Sequence, residues 1–253
     1  MKLHPKNGDK IAVWFSSGAA SAVAAKKTLE LYGDTCDVRI VNNPIFNEDS
    51  DNIRFLKDVE KWLGVSIEYA INKRYPKCDI EEVWEDRQYM SGIHGAPCTL
   101  ELKKKARYDW ELTNRPDWHV LGFTFEESNR YNRFIINERT ATLPILIDAK
   151  ISKGECFSII SNAGIELPNI YKKGAPNANC PGCVKATSPT YWNWVRIAYP
   201  LVFQSRCKQS RELGVRLVRY KGKRIFLDEL PENATGRSMK NMDFECGIFC
   251  NTK

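Results

Sequence analysis

Apolar residues dominate Lys10 to Phe15, small residues follow from Ser16 to Ser21, and an alanine-rich stretch from Ala20 to Tyr32 suits a helix. The order is strand, tight loop, helix. Cys36 to Val41 repeats the strand pattern, Ser50 to Leu63 reads as a helix opening on acidic residues, and Val65 to Ala70 as a third strand. Thr99, after a Pro-Cys turn, is placed to cap a helix from Leu100 to Leu112, and His119 to Gly122 supplies a fourth strand. After Thr124 a further helix begins with Glu126 and Glu127 in its first turn, where carboxylates complement the helix dipole. Strands alternating with helices predict a doubly wound α/β fold with a parallel sheet covered on both faces.

The texture changes after the helix predicted over Ser152 to Ala163, which Gly164 can end in the left-handed conformation. Residues Pro168 to Pro189 are rich in Pro, Gly, Asn and Lys, too long a loop for a compact domain unless it is functional or tied down. Helix-like pieces follow at Tyr191 to Tyr199 and Val202 to Leu213. Val215 to Tyr220 and Arg224 to Leu227 then flank Lys221-Gly222-Lys223 as a hairpin, and Pro231 to Asp243 is polar and irregular. No internal repeat is present. The expected organisation is a nucleotide-binding α/β domain over residues 1–165 and a cysteine-rich helical and hairpin part over 166–253.

At 253 residues and 43% hydrophobic content the chain can bury a substantial core. No apolar run approaches the roughly 20 residues that span a bilayer, and the start lacks the apolar stretch of a secretory signal, so an intracellular, cytoplasmic protein with no membrane partner is expected. In reducing cytosol the nine cysteines are expected to bind metal or act in catalysis where they pair, not to form structural disulfides. Cys36, Cys78, Cys156 and Cys207 stand alone and read as small core residues. The net charge is +7, with a basic concentration from Arg206 to Arg224 opposed only by Glu212. That run is either a solvated face or a polyanion-binding surface.

Ser16-Ser17-Gly18-Ala19-Ala20-Ser21 sits where strand hands over to helix. Small residues admit a ligand close to the backbone, hydroxyls donate to phosphate oxygens, and the helix N-terminus offers unpaired N–H groups, so the loop is either an anion cradle or an ordinary small-residue turn. Glu127, Arg130 and Arg133 fall three apart at a helix start, either as a phosphate or sulfate clamp or as an exposed ion-pair set. Lys103 to Lys105 and Lys185 could add phosphate contacts. Cys180-Pro-Gly-Cys183 is a two-ligand clip shared by zinc, iron–sulfur and redox sites, with the glycine removing steric obstruction at the bend.

Together these segments resemble the PP-loop ATP pyrophosphatases and the related phosphoadenosine-phosphosulfate (PAPS) reductases, whose shared loop is Ser-Gly-Gly-x-Asp-Ser. Ser16, Gly18 and Ser21 match it, Ser17 replaces the first glycine and Ala20 the aspartate, a residue that the reductase branch commonly lacks. Gly95-Ala96-Pro97-Cys98-Thr99, Leu121-Gly122-Phe123-Thr124 with Glu127, Arg130 and Arg133, Asn179 to Lys185, Phe226 to Leu230 and Glu245-Cys246-Gly247 are similar to segments of reductase-like proteins found in phage and DNA-modification loci.

The resemblance implies an adenine nucleotide alpha hydrolase-like (HUP) fold and a site for ATP or PAPS, with Mg2+ as counter-ion, at Ser16, Ser17, Gly18, Ser21, Lys103, Glu127, Arg130 and Arg133. It implies a [4Fe-4S] cluster, with Zn2+ as the alternative, on Cys98, Cys180 and Cys183, either with one iron open for a sulfur ligand or closed by Cys246 or Cys250 as a fourth ligand. Glu245-Cys246-Gly247 is similar to the terminal Glu-Cys-Gly of the reductases, whose cysteine attacks sulfonate sulfur. Here Ile248-Phe249-Cys250 follows where those enzymes usually have a histidine. Cys246 and Cys250 are thus candidate catalytic thiols, or a metal cap, or a persulfide relay, or a structural end.

The function so implied is ATP-dependent adenylation of a substrate, nucleic acid or a nucleic-acid-modification complex, for sulfur incorporation as in DNA phosphorothioation or RNA thiolation. A sulfur donor such as a cysteine desulfurase would be the partner. The alternatives are a PAPS or adenosine-phosphosulfate reductase releasing sulfite, and a non-catalytic nucleotide-binding partner in a phage or defence system.

Overall fold

The structure is a computed structural model that describes residues 4–92, 95–139 and 141–239. Strands β1 (Lys10–Trp14), β2 (Asp37–Asn42), β3 (Ile67–Tyr69), β4 (Trp118–Val120) and β5 (Thr142–Leu143) form one parallel sheet in the order β3-β2-β1-β4-β5. β1 is central, with Val13 paired to Ile40 on one side and to Val120 on the other. The chain winds outward from β1 in both directions, so the topological switch point lies beyond the carboxyl ends of β1 and β4, where open α/β sheets bind ligands.

The helices are α1 (Ala19–Tyr32), α2 (Asp51–Leu63), α3 (Ile80–Arg87), α4 (Ala106–Asn114), α5 (Ser128–Asn137), α6 (Ile145–Asp148), α7 (Lys153–Asn162), α8 (Asn169–Lys172), α9 (Pro189–Ala198) and α10 (Pro200–Glu212). Alternation along β1 sends side chains to both faces. Ile11, Val13 and Phe15 pack with the alanines of α1, Phe55 and Val59 of α2, Leu146 of α6 and Ile160 of α7. Ala12 and Trp14 pack on the opposite face with Phe123, Phe134 of α5 and Trp110 of α4. This is the doubly wound architecture that the alternating pattern predicts.

A further core joins the C-terminal part to the sheet domain. Ile80, Val83 and Trp84 of α3 and Leu102 bury against Tyr191, Trp192 and Val195 of α9, together with Leu217, Val218 and Leu227. The predicted hairpin forms from β6 (Val218–Tyr220) and β7 (Lys223–Ile225), and Lys221 and Gly222 both take positive φ at its turn. Two left-handed residues give the turn whose twist matches that of the strands.

Several elements depart from the sequence expectation. The helix expected over Leu100 to Leu112 is a π-helical segment, Thr99–Lys105, followed by α4. Glu101, Leu102 and Lys103 are all buried there, an inward run that the wider π-helical turn accommodates. Glu101 is held by Arg87, by Lys105 Nζ at 2.9 Å and by Asn72 Nδ2 at 3.2 Å. The polar α3 was not expected; Asp79 starts it by accepting the Glu81 N–H at 2.8 Å. The helix expected from Ser152 is α7, closed by a Ser152–Glu155 capping box.

The expected long loop contains α8 and is tied down at several points. Asn169 N–H donates to Asp51 at 2.8 Å, and Trp194 Nε1 donates to Lys173 O at 2.6 Å. Lys153 Nζ donates to Pro176 O and, at 2.6 Å, to Asn177 Oδ1. No helix among the described residues is long and apolar enough to cross a membrane.

Candidate active site

The loop between β1 and α1 folds on itself before it can meet a ligand. Ser21 Oγ donates to Gly18 O at 2.9 Å and lies 3.1 Å from the Ser16 N–H and 3.2 Å from Ser16 Oγ, so the Ser21 hydroxyl shapes the loop. Ser17 is buried and adopts φ +55°, the left-handed region where glycine is the easy occupant. Its position is that of the first glycine in the Ser-Gly-Gly pattern, and Asn42 of β2 supports it by donating to Phe15 O at 2.8 Å and to Ser17 Oγ at 3.4 Å. Ser16 remains exposed. Gly18 caps α1 with extended backbone, leaving the first-turn N–H groups without intrahelical partners, and no acidic residue stands in that turn. The result is an electropositive helix end at the switch point.

Two neighbours fix this loop. A Cβ on Gly122, just after β4, would lie 2.6 Å from Ser21 N and 2.9 Å from Ser21 Cα, so the two loops touch backbone to backbone. Above Gly18, a Cβ would meet the Tyr171 hydroxyl at 3.3 Å and Ala178 Cβ at 3.9 Å. The segment carrying α8 therefore lies over the loop between β1 and α1, with Tyr171 braced edge-on against Phe157 at 5.1 Å.

Two residues beyond Ala178 the Cys-Pro-Gly-Cys clip begins. Cys180 and Cys183 line one recess together with Cys98, Thr99, Lys103, Lys185, Ile45, Ile80, Trp84, Ala96 and Val184. Gly182 takes φ +70°, and a Cβ there would come within 2.8 Å of Val202 Cγ1, so the bend requires glycine. Cys183 N–H donates to the buried Tyr191 hydroxyl at 2.7 Å, and burial together with the nearby Cys183 thiol keeps that phenol protonated far above its ordinary range. None of the seven described cysteines is in a disulfide. Among the described residues no group of three or more His, Cys, Asp or Glu could hold a metal ion as placed. Three soft sulfur donors from two separate segments share one largely apolar recess, a donor set that suits an iron–sulfur cluster or zinc. As placed the three thiols do not converge on one centre, so holding such a group would require them to draw together.

The remaining expected site residues are distributed as follows. Lys103 is buried in the recess wall, with Nζ 3.8 Å from Glu48. Lys104 faces Glu138 and Lys105 faces Glu101, so the three lysines diverge. Glu127 closes a capping box with Thr124, accepting its N–H at 3.0 Å, and pairs with Arg130 at 2.5 Å; the Arg130 guanidinium lies over Phe123. Arg133 is exposed on α5. Cys246 and Cys250 lie outside the described residues. Sequence reasoning missed Asn42, Tyr171 and Tyr191, whose roles come from contacts remote in the chain. Gly122 was named in the sequence as part of Leu121-Gly122-Phe123-Thr124, but its close approach to Ser21 comes from the fold.

Beneath the sheet lies a separate buried network. His119 of β4 accepts Trp14 Nε1 at Nδ1 (3.1 Å) and meets Arg139 at Nε2 (2.8 Å), while Arg139 also holds Glu111 at 2.5 Å. Burial first, then the Arg139 and Arg107 charges, depress the His119 pKa to about 3.

No protein-family model matches the chain, and no curated protein matches it. Among solved structures it is similar to the U34-tRNA thiolase NcsA from Methanococcus maripaludis, solved with its [4Fe-4S] cluster. The identity is 13% and the TM-score 0.46, over 83% of this chain and 73% of that one.

Proposed function

We propose that this chain is an ATP-binding enzyme of the PP-loop type that activates a substrate oxygen, on nucleic acid in this reading, for replacement by sulfur. The observation that supports the proposal is that the segment leading into the Cys180 clip packs over the start of α1, with Ala178 Cβ 3.9 Å from where a Gly18 Cβ would lie, two residues before a thiol of the recess.

In the proposed reaction the substrate oxygen attacks the α-phosphorus of ATP, the bond to the β-phosphate breaks, and pyrophosphate leaves. A sulfur atom at the sulfide level, from a donor such as a cysteine desulfurase with its thiol reductant, then adds to the activated centre and displaces AMP. The first-turn N–H groups of α1 and the Ser16 hydroxyl hold the phosphates, with Mg2+ as counter-ion, while Ser21 and Asn42 keep the loop in shape. Lys103 and Arg133 are the proposed cationic contacts, and Glu127 orients Arg130. Cys98, Cys180 and Cys183 would hold a [4Fe-4S] cluster, which supplies an iron open to a sulfur ligand. Apolar side chains around the thiols exclude water from the sulfur donor.

The absence of a carboxylate at Ala20 favours one second reading, a sulfonucleotide reductase in which Cys246 attacks PAPS and sulfite is released. Anaerobically purified protein incubated with ATP and nucleic acid should release pyrophosphate, and with PAPS and thioredoxin should yield no sulfite. Sulfite release would replace the first reading with the second. Nucleotide binding without either product would make the chain a non-catalytic nucleotide-binding partner.

A further inference from the structure

The basic run that stands out in the sequence divides in two once its partners are placed. In the first half each cation has an anionic neighbour. Arg206 is buried, paired with Glu81 at 2.6 Å and stacked on Trp84. Lys208 faces Glu212, and Arg211 binds Asp228 and Glu229. The second half differs. Arg216, Arg219, Lys221, Lys223 and Arg224 are all exposed, no acidic residue interrupts residues 213–227, and none of the five has a carboxylate partner among the described residues.

The hairpin concentrates these charges. Val218 pairs with Ile225 on the inward face, packed on the core that also contains Cys180 and Cys183. By alternation Arg219 and Arg224, directly opposite in register, share the outward face. Like charges opposite one another across a strand pair are unfavourable. The Arg219 charge, after burial, lowers the Arg224 pKa, and Arg224 Nη1 is oriented by Leu217 O at 2.8 Å. Lys221, over the Tyr220 ring at 5.3 Å, occupies the left-handed turn. The hairpin is also attached to the thiol clip, because Arg219 N–H donates to Thr187 O at 2.8 Å, four residues past Cys183.

We infer that the outward face and tip of this hairpin form a nucleic-acid docking surface that binds the phosphodiester backbone and delivers it beside the thiol recess. A polyanion relieves the Arg219–Arg224 repulsion, and a row of unneutralised cations on a narrow two-stranded ribbon matches the regular charge of a phosphate chain. The inference rests on the proposed nucleic-acid substrate for its purpose; the binding itself is independent of turnover.

The test is fluorescence anisotropy of the full chain with labelled 20-nucleotide single-stranded RNA, single-stranded DNA and duplex probes across a salt series. The variant Arg219→Gln/Lys221→Gln/Lys223→Gln is compared with Lys57→Gln/Lys61→Gln/Lys77→Gln, exposed lysines elsewhere that remove the same net charge. For single strands the hairpin variant should lose roughly ten- to a hundredfold in affinity near 0.1 M salt and about 2 from the slope of log K against log salt, from about 0.7 per phosphate contact. The control variant should keep both.

Equal losses in the two variants, or absence of wild-type binding to every probe, would each overturn the inference. Pyrophosphate release from ATP is measured separately. A protein that cleaves ATP but fails here loses the docking surface alone, and one that binds nucleic acid through the hairpin without ATP cleavage loses only the proposed chemistry.

Discussion

Replacing Gly122 with alanine tests the join between the two loops at the switch point. The added Cβ would sit 2.6 Å from Ser21 N and 2.9 Å from both Ala20 C and Ser21 Cα, all backbone atoms that cannot rotate aside. Favourable carbon contacts lie near 3.5–4.0 Å, so the loop after β4 and the start of α1 must part by about 1 Å. Overpacking of this kind costs about 1–3 kcal/mol. For a chain of this size that is a fall in Tm of roughly 3–10 °C. The shift also displaces the N–H groups of the first turn of α1 from a phosphate, and losing one charge-assisted hydrogen bond of about 1.5–3 kcal/mol weakens nucleotide affinity roughly 10- to 100-fold. Thermal unfolding and ATP titration calorimetry measure the two effects. Gly154→Ala, with nothing within 4 Å of its Cβ, is the control and should change neither for the worse. An unchanged Tm for Gly122→Ala would refute the close approach, and a lowered Tm with intact ATP affinity would refute the loop as the phosphate site.

Three further outcomes follow from the geometry. Gly18→Val should abolish ATP binding, since its side chain enters the space between the loop and the Tyr171 hydroxyl, only 3.3 Å from where a Cβ would lie; titration calorimetry with unaltered affinity would contradict this. His119 is held neutral, with a folded pKa of about 3 below the ordinary 6.5. The unfolded chain therefore binds the extra proton, and stability present above pH 6.5 is lost as pH falls toward 3, by up to about 1.4 kcal/mol per pH unit. In His119→Gln, Tm against pH should be flatter between pH 6.5 and 4 than in the wild type, and a parallel profile would contradict the assignment. Arg206→Met retains volume but strands Glu81, which keeps some solvent access, so guanidinium unfolding should show a loss of about 1–3 kcal/mol, and no loss would mean the pair is not made.

What the sequence revealed depended on how local the signal was. The unit from Lys10 to Tyr32 was legible because a short apolar run, small residues and an alanine-rich helix follow one another without long-range help. The hairpin was legible because Lys221-Gly222 lies between apolar stretches. Gly182 was legible as the bend between two thiols. α3 was not, because only Ile80, Val83 and Trp84 of its eight residues are buried and the rest are charged. The π-helical segment was hidden because its inward run is set by Asn72 and Arg87, distant in the chain. The spacing of Glu127 and Arg130 fits a phosphate clamp and an ion pair equally, and only in the fold does Glu127 turn back to accept the Thr124 N–H. Charge counting treated Arg206 like Lys223, although one is buried against Trp84 and the other is exposed. Tyr171 carried no signal at all, since its place over Gly18 comes from anchors in α2, α7 and α9.

The measurement that bears most directly on the proposed pairing of a phosphate loop with a thiol recess is iron and acid-labile sulfide analysis of anaerobically purified protein, alongside Cys98→Ala, Cys180→Ala, Cys183→Ala and, as control, Cys36→Ala. The expected result is roughly four irons and four sulfides per chain, as in a [4Fe-4S] cluster, in the wild type and Cys36→Ala. The three recess variants should fall to background. Zinc without sulfide, or iron unchanged in Cys180→Ala and Cys183→Ala, would contradict sulfur chemistry at the recess.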